Sequence, residues 1–310
     1  MTILQQVPSE AKIRMELKSI LFGKVIKCPH CGSRQVKKYE KRYHCKRCRK
    51  SFSLTSNTWL KGMKLPLQTF WLLLWCWVNK VPIDQAQNTC GISEPTARNW
   101  YEKFRDHLPQ DILDMLRLKG NVQIDEAYRG SKGNKYAIIG AKQAKSSKRK
   151  AILQVLPKKS VDRKDTVDFL SQNVIPNSNL WSDGAAIYRG IAKWWPVNHS
   201  YEIHKKFEFA ITSEVEGMWG NFFTFVRRMY HHVTKDKIES VVREFNFRFC
   251  FPEYFRDPSS YLKIALKPLS IPIIEKKTKA EKKQTKISLN NMSIYTLNPV
   301  EKSKVLVPSC

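Results

Sequence analysis

Two CxxC pairs place the strongest constraint on how this chain can fold. Cys28, Cys31, Cys45 and Cys48 follow the pattern C-x2-C-x13-C-x2-C. Each pair presents two thiolates at the spacing that tetrahedral zinc requires, and the run between the pairs is long enough for a hairpin. Because so small a segment has almost no apolar core, zinc would have to supply its folding energy. We therefore predict a zinc ribbon over residues 28–60 with structural Zn²⁺ on these four thiolates; a redox pair is the alternative.

The charge of the chain indicates a polyanionic partner. Lys and Arg total 55 against 27 Asp and Glu, a formal net charge of +28, and nucleic acid is the commonest partner of so basic a protein. An anionic membrane surface is the competing partner. No signal peptide is visible, and the most apolar run, Phe70–Val78, is about half of what a membrane span needs. We expect a buried helix there and no membrane insertion.

Residues 61–118 are predicted to form a helix-turn-helix region. Helices are expected over residues 66–79, 83–89 and 94–108, with a tight Cys-Gly-Ile-Ser turn before the last and Ser93 as its N-cap. This order is typical of helix-turn-helix DNA-binding proteins. Near the start of the last helix, Thr96, Arg98 and Asn99 would face the major groove. An ordinary helical hairpin is the alternative.

Three acidic residues are candidates for a catalytic site. Asp125 lies inside the strand Val122–Gly130, where a carboxylate is costly to bury unless it is paired or binds a metal. Asp183 ends a short apolar run, and Glu216 lies at a helix start. Two strand aspartates and a helical glutamate can converge to hold two divalent cations, the geometry for in-line phosphodiester attack. Alternatively, Asp183 opens an Asp-Gly turn, and Glu216 closes a capping box with Ser213 as N-cap.

The motifs around these acids resemble a known family. The chain has Asp-Glu-x-Tyr-x-Gly at Asp125, Ser-Asp-Gly-x-x-x-Tyr around Asp183 and Val-Glu-Gly-x-Trp around Glu216. This pattern resembles the ISXO2-like transposases of the IS1595/Merlin group, from about residue 28 to about residue 251. The resemblance implies an α/β fold with an RNase H-like mixed-sheet catalytic core over residues 119–270. It also implies a DDE triad of the three acids that holds two Mg²⁺ ions.

The chain departs from the family pattern near the third acid. The relatives usually carry a lysine where this chain has Phe223, and often an asparagine where it has Ser213. Arg227 and Arg228, one turn further on, could supply the phosphate contact instead. His199 matches a family element and is either an auxiliary site residue or a packed polar side chain.

Glu214 also lies at a suitable distance from the aspartates along the chain. On a helix, Glu214 and Glu216 point roughly 160° apart, so only one of them can face the aspartates. Glu216 falls at the edge of the apolar face, whereas Glu214 is expected to face solvent. We therefore assign the third acid to Glu216.

These observations predict a DNA transposase that cleaves and transfers strands at the ends of its own mobile element. The alternatives are a catalytically inactive, transposase-derived DNA-binding regulator and a nuclease with the same core. The expected partners are double-stranded DNA, as terminal inverted repeats and target, and further copies of the chain in a homo-oligomer on DNA. Its location would be the cytoplasm and nucleoid of a bacterium or the nucleus of a eukaryote. Residues 1–27 are expected to form a packing helix, and residues 271–310 a disordered basic tail.

Overall fold

A three-stranded antiparallel sheet follows the first helix of the chain. The computed structural model describes residues 7–40, 42–130, 135–146, 149–202 and 212–266, so the predicted tail lies outside the described residues. Helix α1 spans Glu10–Phe22, and the strands are β1 (Val36–Tyr39), β2 (Arg42–Cys45) and β3 (Ser51–Phe52). Their order is β1-β2-β3. The ribbon prediction is confirmed in this hairpin, which carries the second CxxC pair at the end of β2.

The next region is helical, as the sequence predicted. Its helices are α2 (Leu67–Val78), α3 (Ile83–Cys90), α4 (Glu94–Asp106) and α5 (Gln110–Asp114). Gly91 has a φ of 61° and ends α3 in the left-handed conformation that glycine adopts without strain. Ser93 is the N-cap of α4, although its side chain makes no capping bond. The buried residues of α4 are Ala97, Trp100, Tyr101, Phe104 and Arg105.

A five-stranded mixed sheet forms the centre of the second half of the chain. Its strands are β4 (Asn121–Arg129), β5 (Tyr136–Gln143), β6 (Ala151–Leu156), β7 (Asn179–Asp183) and β8 (Asn198–Glu202), in the order β6-β5-β4-β7-β8. The first three strands are antiparallel, and β7 and β8 run parallel to β4. Helix α6 (Arg163–Asn173) connects β6 to β7. This is the RNase H-like mixed sheet that the sequence predicted.

The two faces of this sheet are covered differently. Alternate residues of β4 such as Val122 and Ile124 pack with Phe169 of α6 in one core. The opposite face is covered by α7 (Ser213–Tyr230) and α8 (Ile238–Cys250), with α9 (Pro258–Ala265) beyond them. The core on that face is continuous with the apolar side chains of the ribbon and of α2 and α4. The helical region and the sheet therefore share one hydrophobic core.

Buried polar contacts reinforce this junction. Arg248 on α8 is 4% exposed and bonds Glu244 at 2.7 Å, where Glu244 is fully buried. The same guanidinium donates to the carbonyl oxygens of Val78 at 2.9 Å and Trp77 at 2.6 Å, at the end of α2. Tyr261 of α9 donates to the carbonyl oxygen of Phe104 on α4 at 2.8 Å. These bonds connect α2 and α4 directly to the helices that cover the sheet.

The start of α7 differs from the capping box considered above. Thr212, not Ser213, is the N-cap, and its side chain makes no capping bond. Glu216 therefore lies one position beyond the third helical residue that a capping box requires. The capping-box interpretation is wrong.

None of the helices among the described residues is long and apolar enough to cross a membrane.

Candidate active site and zinc centre

The four predicted zinc ligands come together in the ribbon. Their sulfur atoms all lie within 4.8 Å of one another, and the Cys28–Cys48 and Cys31–Cys45 pairs are each 3.6 Å apart. A tetrahedral zinc with bonds of about 2.3 Å places its sulfur ligands about 3.8 Å apart. The donor set therefore fits one structural zinc ion. In the described part of the chain this is the one group of three or more metal-ligating side chains so close together.

The two strand aspartates lie side by side on the sheet. Strands β4 and β7 are parallel, with Asn121 opposite Asn179 and Gln123 opposite Trp181. Continued for two more residues, this register would bring Asp125 level with Asp183, and the charge of Asp183 does act on Asp125. Since side chains alternate along a strand, both carboxylates project from the face that α7 covers. Residues 58 positions apart in the sequence thus occupy adjacent positions.

The Asp125 carboxyl is held in an unusual electrostatic environment. Burial raises the pKa of Asp125 to about 7, and the charges of Glu126 and Asp183 add to that rise. Two hydrogen bonds oppose it: the backbone N–H of Glu126 donates to Oδ1 at 2.8 Å, and the indole N–H of Trp219 donates to Oδ2 at 3.0 Å. A carboxyl whose pKa is raised by neighbouring acids is suited to a cation, which favours its ionised form.

Trp219 reaches Asp125 because Gly140 leaves room for the indole ring. Gly140 of β5 lies directly opposite Asp125 of β4. A Cβ atom at position 140 would be 2.8 Å from Trp219 Cζ2, closer than real contacts allow. Trp219 is part of the third sequence motif, but that motif does not indicate that its ring contacts Asp125. No sequence signal pointed to Gly140.

Glu126 is a further acid that the sequence analysis left without a role. It projects from the opposite face of β4, where the hydroxyl of fully buried Tyr188 donates to its carboxylate. Burial raises the pKa of Glu126, and Asp183 adds to that effect. Both residues are fixed positions of the quoted motifs, the Glu after Asp125 and the Tyr five residues after Asp183. The motif spacing was therefore the signal that could have paired them.

Glu216 is exposed and lies on α7, the helix from which Trp219 contacts Asp125. Its carboxylate accepts a hydrogen bond from the Thr212 hydroxyl at 3.2 Å. Among the described residues, Glu216 does not form with Asp125 and Asp183 a compact group of metal ligands like that of the four cysteines. The structure thus brings the two aspartates together and leaves the glutamate on the adjacent helix.

Glu214 does not face solvent as expected. Its carboxylate bonds Lys142 Nζ of β5 at 2.7 Å and the backbone N–H of Lys145 at 3.0 Å. Hydrogen bonding to Lys142 lowers the pKa of Glu214. The prediction was wrong because helix periodicity alone does not show where a neighbouring strand presents a lysine. With Glu214 bound to the β5 side, Glu216 points away from that side of the helix.

The remaining predicted residues occupy separate places. His199 on β8 bonds the hydroxyl of Ser182 at 2.9 Å, next to Asp183, and burial lowers its pKa. Thr96 is half-buried, with its hydroxyl 2.8 Å from that of Ser93. The other predicted DNA-binding residues are exposed: Arg98 and Asn99 on α4, and Arg227 and Arg228 in the last turn of α7. Their contact with DNA stays a prediction.

Two comparisons with solved structures give distant likenesses. One is a chain of the simian T-cell lymphotropic virus intasome in complex with the PP2A regulatory subunit B56 gamma, at 10% identity and TM-score 0.33, covering 73% of this chain and 76% of that one. The other is the HTLV-2 integrase catalytic core domain in complex with magnesium, at 12% identity and TM-score 0.28, covering 43% and 86%. The fold assignment rests on the strand order and directions described above. No curated protein matches this chain.

Two family models match the chain in tandem. Residues 8–51 match the transposase zinc-ribbon domain of the IS1595 group, which includes all four cysteines. Residues 117–249 match the ISXO2-like transposase domain of the same group, which includes Asp125, Asp183 and Glu216. With both domains present and in this order, the chain belongs to the IS1595 group of ISXO2-like transposases.

Proposed function

We propose that this protein is a DNA transposase that cleaves and joins strands at the ends of its own mobile element. The observation that carries the proposal is that Asp125 and Asp183 lie on neighbouring parallel strands inside the ISXO2-like domain, close enough for the charge of Asp183 to raise the pKa of Asp125. Their position on the face beside α7 leaves Glu216 as the third carboxylate of a DDE site. In each step a water or a 3′-hydroxyl oxygen forms a bond to phosphorus, while the bond to the leaving oxygen breaks.

The residues present fit a divalent cation. Asp125, with a pKa raised to about 7 by burial and by neighbouring acids, would bind it together with Asp183, and Glu216 would complete the site. Mg²⁺ supplies activation of the attacking oxygen and stabilisation of the leaving oxygen when two ions are bound. Trp219 and the Glu126 N–H fix the orientation of the Asp125 carboxylate through their hydrogen bonds. The same site serves hydrolysis and strand transfer, because only the nucleophile changes.

DNA would contact the protein at two places. The exposed start of α4, with Thr96, Arg98 and Asn99, would recognise the terminal inverted repeat. Arg227 and Arg228 on α7 would contact phosphates near the acids, and a homo-oligomer would hold two DNA ends. The net charge of +28 suits this partner, because each neutralised phosphate releases counterions.

The test is nicking of a supercoiled plasmid that carries the gene with its flanking DNA. We expect Mg²⁺-dependent nicking at defined positions and joining of the released ends to a second DNA. Asp125→Asn and Asp183→Asn should each abolish both reactions while DNA binding persists. Nicking that survives either substitution would contradict the assigned site.

The second candidate is a DNA-binding regulator that has lost cleavage. Phe223, at a position where relatives usually carry a lysine, favours it. This candidate predicts sequence-preferring binding of the flanking DNA by the wild-type protein with no nicking in Mg²⁺. Nicking without joining would instead identify a nuclease with the same core.

A further inference from the structure

A basic groove opens at the end of β4, outside the pair of aspartates. It has a volume of about 990 Å³ and is formed by the ends of β4 and β5, by α7 and by the segment that follows α7. Its lining includes the cationic side chains of Arg129, Arg227 and Lys235, against the single acidic side chain of Asp236. Such a balance of charge suits an anionic ligand.

A stack of side chains connects this groove to the candidate active site. The guanidinium carbon of Arg129 lies 3.6 Å from the centre of the Phe223 ring. Phe223 in turn stacks on Trp219, with ring centres 5.8 Å apart and planes at 16°. The indole N–H of Trp219 donates to Asp125. The chain of contacts therefore runs from a catalytic carboxylate to a cation in the groove.

Arg129 is held in place but keeps its hydrogen-bonding groups available. It is exposed, and among the described residues its side chain has no carboxylate partner. Stacking on the Phe223 ring fixes the plane of the guanidinium and leaves its N–H groups at the edge free to donate. A planar fork of this kind binds two phosphate oxygens at once.

We propose that Arg129 binds a backbone phosphate of a DNA strand that lies in this groove. By holding that phosphate, Arg129 would position the neighbouring scissile phosphodiester bond at Asp125 and Asp183. This inference rests on the proposed function for the place of the scissile bond. Nucleic acid is favoured over an acidic peptide because the groove combines cations with aromatic faces and leads directly to acids suited to phosphodiester chemistry.

The test compares Arg129→Glu with Arg256→Glu in the full-length protein. Arg256 is also exposed and does not line the groove, so the two variants change the net charge equally. The probes are a short labelled DNA duplex for binding and the plasmid with the flanking DNA for nicking. We expect Arg129→Glu to bind the duplex at least about tenfold more weakly than Arg256→Glu and to reduce the salt slope by about one.

A lysine at the same position separates charge from geometry. Arg129→Lys keeps the charge but lacks the flat fork, so it should retain the salt slope while its kcat for nicking falls several-fold. Equal duplex affinity and salt slope for Arg129→Glu and Arg256→Glu would overturn the inference, even if the wild-type protein nicks normally. If the wild-type protein fails to nick but Arg129→Glu still weakens binding selectively, the DNA contact stands and the proposed function fails.

Discussion

At the scale of single residues, Asp125 makes the stability of the fold depend on pH. Its pKa is raised from 3.8 to about 7 in the folded protein, mainly by burial. A carboxyl with a raised pKa stabilises the fold while it is protonated, and that contribution is lost as the pH rises from about 4 through 7. Asp125→Asn, which is always neutral, should escape this loss. We expect it to raise the free energy of unfolding at pH 8 by on the order of 2 kcal/mol.

The measurement is urea unfolding of both proteins in buffer without Mg²⁺ or chelator, at pH 4 and at pH 8. The difference in stability should be small at pH 4 and favour the variant at pH 8. Asp168→Asn, an exposed change on α6, serves as the control and should show no such dependence. A variant less stable than wild type at pH 8 would contradict the raised pKa.

Gly140 offers a second test at this scale. Gly140→Ala places a methyl group 2.8 Å from the Trp219 ring, which must shift away from Asp125. We expect a loss of about 1 to 3 kcal/mol in the free energy of unfolding, as in other overpacked cores. Gly217→Ala is the matched control, because a Cβ there meets nothing within 4 Å on a helix and should stabilise the protein by up to about 1 kcal/mol.

Trp219→Phe in the Gly140→Ala background provides a further check. The smaller ring should recover part of the loss, so the two substitutions should be non-additive. Strict additivity would show that position 140 does not act through the indole.

The surroundings of Asp125 also show which parts of the candidate site can be predicted from the sequence. Asp125 could be predicted as a site residue, because a carboxylate inside an apolar strand is costly to bury unless it is paired or binds a metal. Asp183 was expected beside it from the motifs and the family resemblance. Trp219 and Gly140 were not, because they meet Asp125 only through strand order and helix packing, which the local pattern does not encode. For the same reason the Lys142 partner of Glu214 was missed.

At the scale of elements, α7 carries two glutamates for which we expect separate roles. Glu216→Gln should abolish Mg²⁺-dependent nicking without loss of fold or DNA binding. Glu214→Gln should leave nicking within a few-fold but lower the stability by about 0.5 to 1 kcal/mol, because it removes the negative charge that pairs with Lys142 at 2.7 Å. Nicking rates and urea midpoints of both variants separate these outcomes. Normal cleavage by Glu216→Gln would remove that residue from the site.

The folding of the ribbon is expected to depend on zinc, because so small a segment has little apolar core of its own. Purified protein should contain about one equivalent of zinc, since the four thiolates fit one ion. Cys45→Ser should lose that zinc and unfold the hairpin. Cys250→Ser, which changes a half-buried cysteine outside the ribbon, should retain it. Atomic absorption measures both, and full retention of zinc by Cys45→Ser would contradict the zinc assignment.

At the scale of the whole molecule, Arg248 couples the helical region to the catalytic domain. Arg248→Met leaves Glu244 buried without its cation and removes two bonds to the end of α2. We expect a loss of about 3 to 5 kcal/mol. Glu244→Gln in addition should recover part of that loss, because the side chain at position 244 then carries no charge. Calorimetry should show one transition for α2–α4 and the sheet in the wild-type protein; two well-separated transitions would contradict the shared core.

The helical order of α2 to α4 and the inward face of α4 followed from apolar spacing, turn residues and helix caps in the sequence. Their shared core with α7 and α8 could not be predicted, because the apolar pattern of α4 shows that a face is buried but not what covers it. The family resemblance predicted the type of sheet, whereas the contact of the sheet's covering helices with α2 and α4 required the structure.

That shared core has a consequence for the spacing of the two places where DNA would bind. On the proposed function, the helix that recognises the DNA and the carboxylates that cleave it belong to one rigid body, because they are joined by the same core. The distance from recognised bases to the broken bond is then a property of the protein and cannot be adjusted by a flexible hinge. A mobile element that gains a few base pairs between the recognised sequence and the cleavage site would keep both of these sequences intact. Its own transposase would nevertheless no longer cleave it.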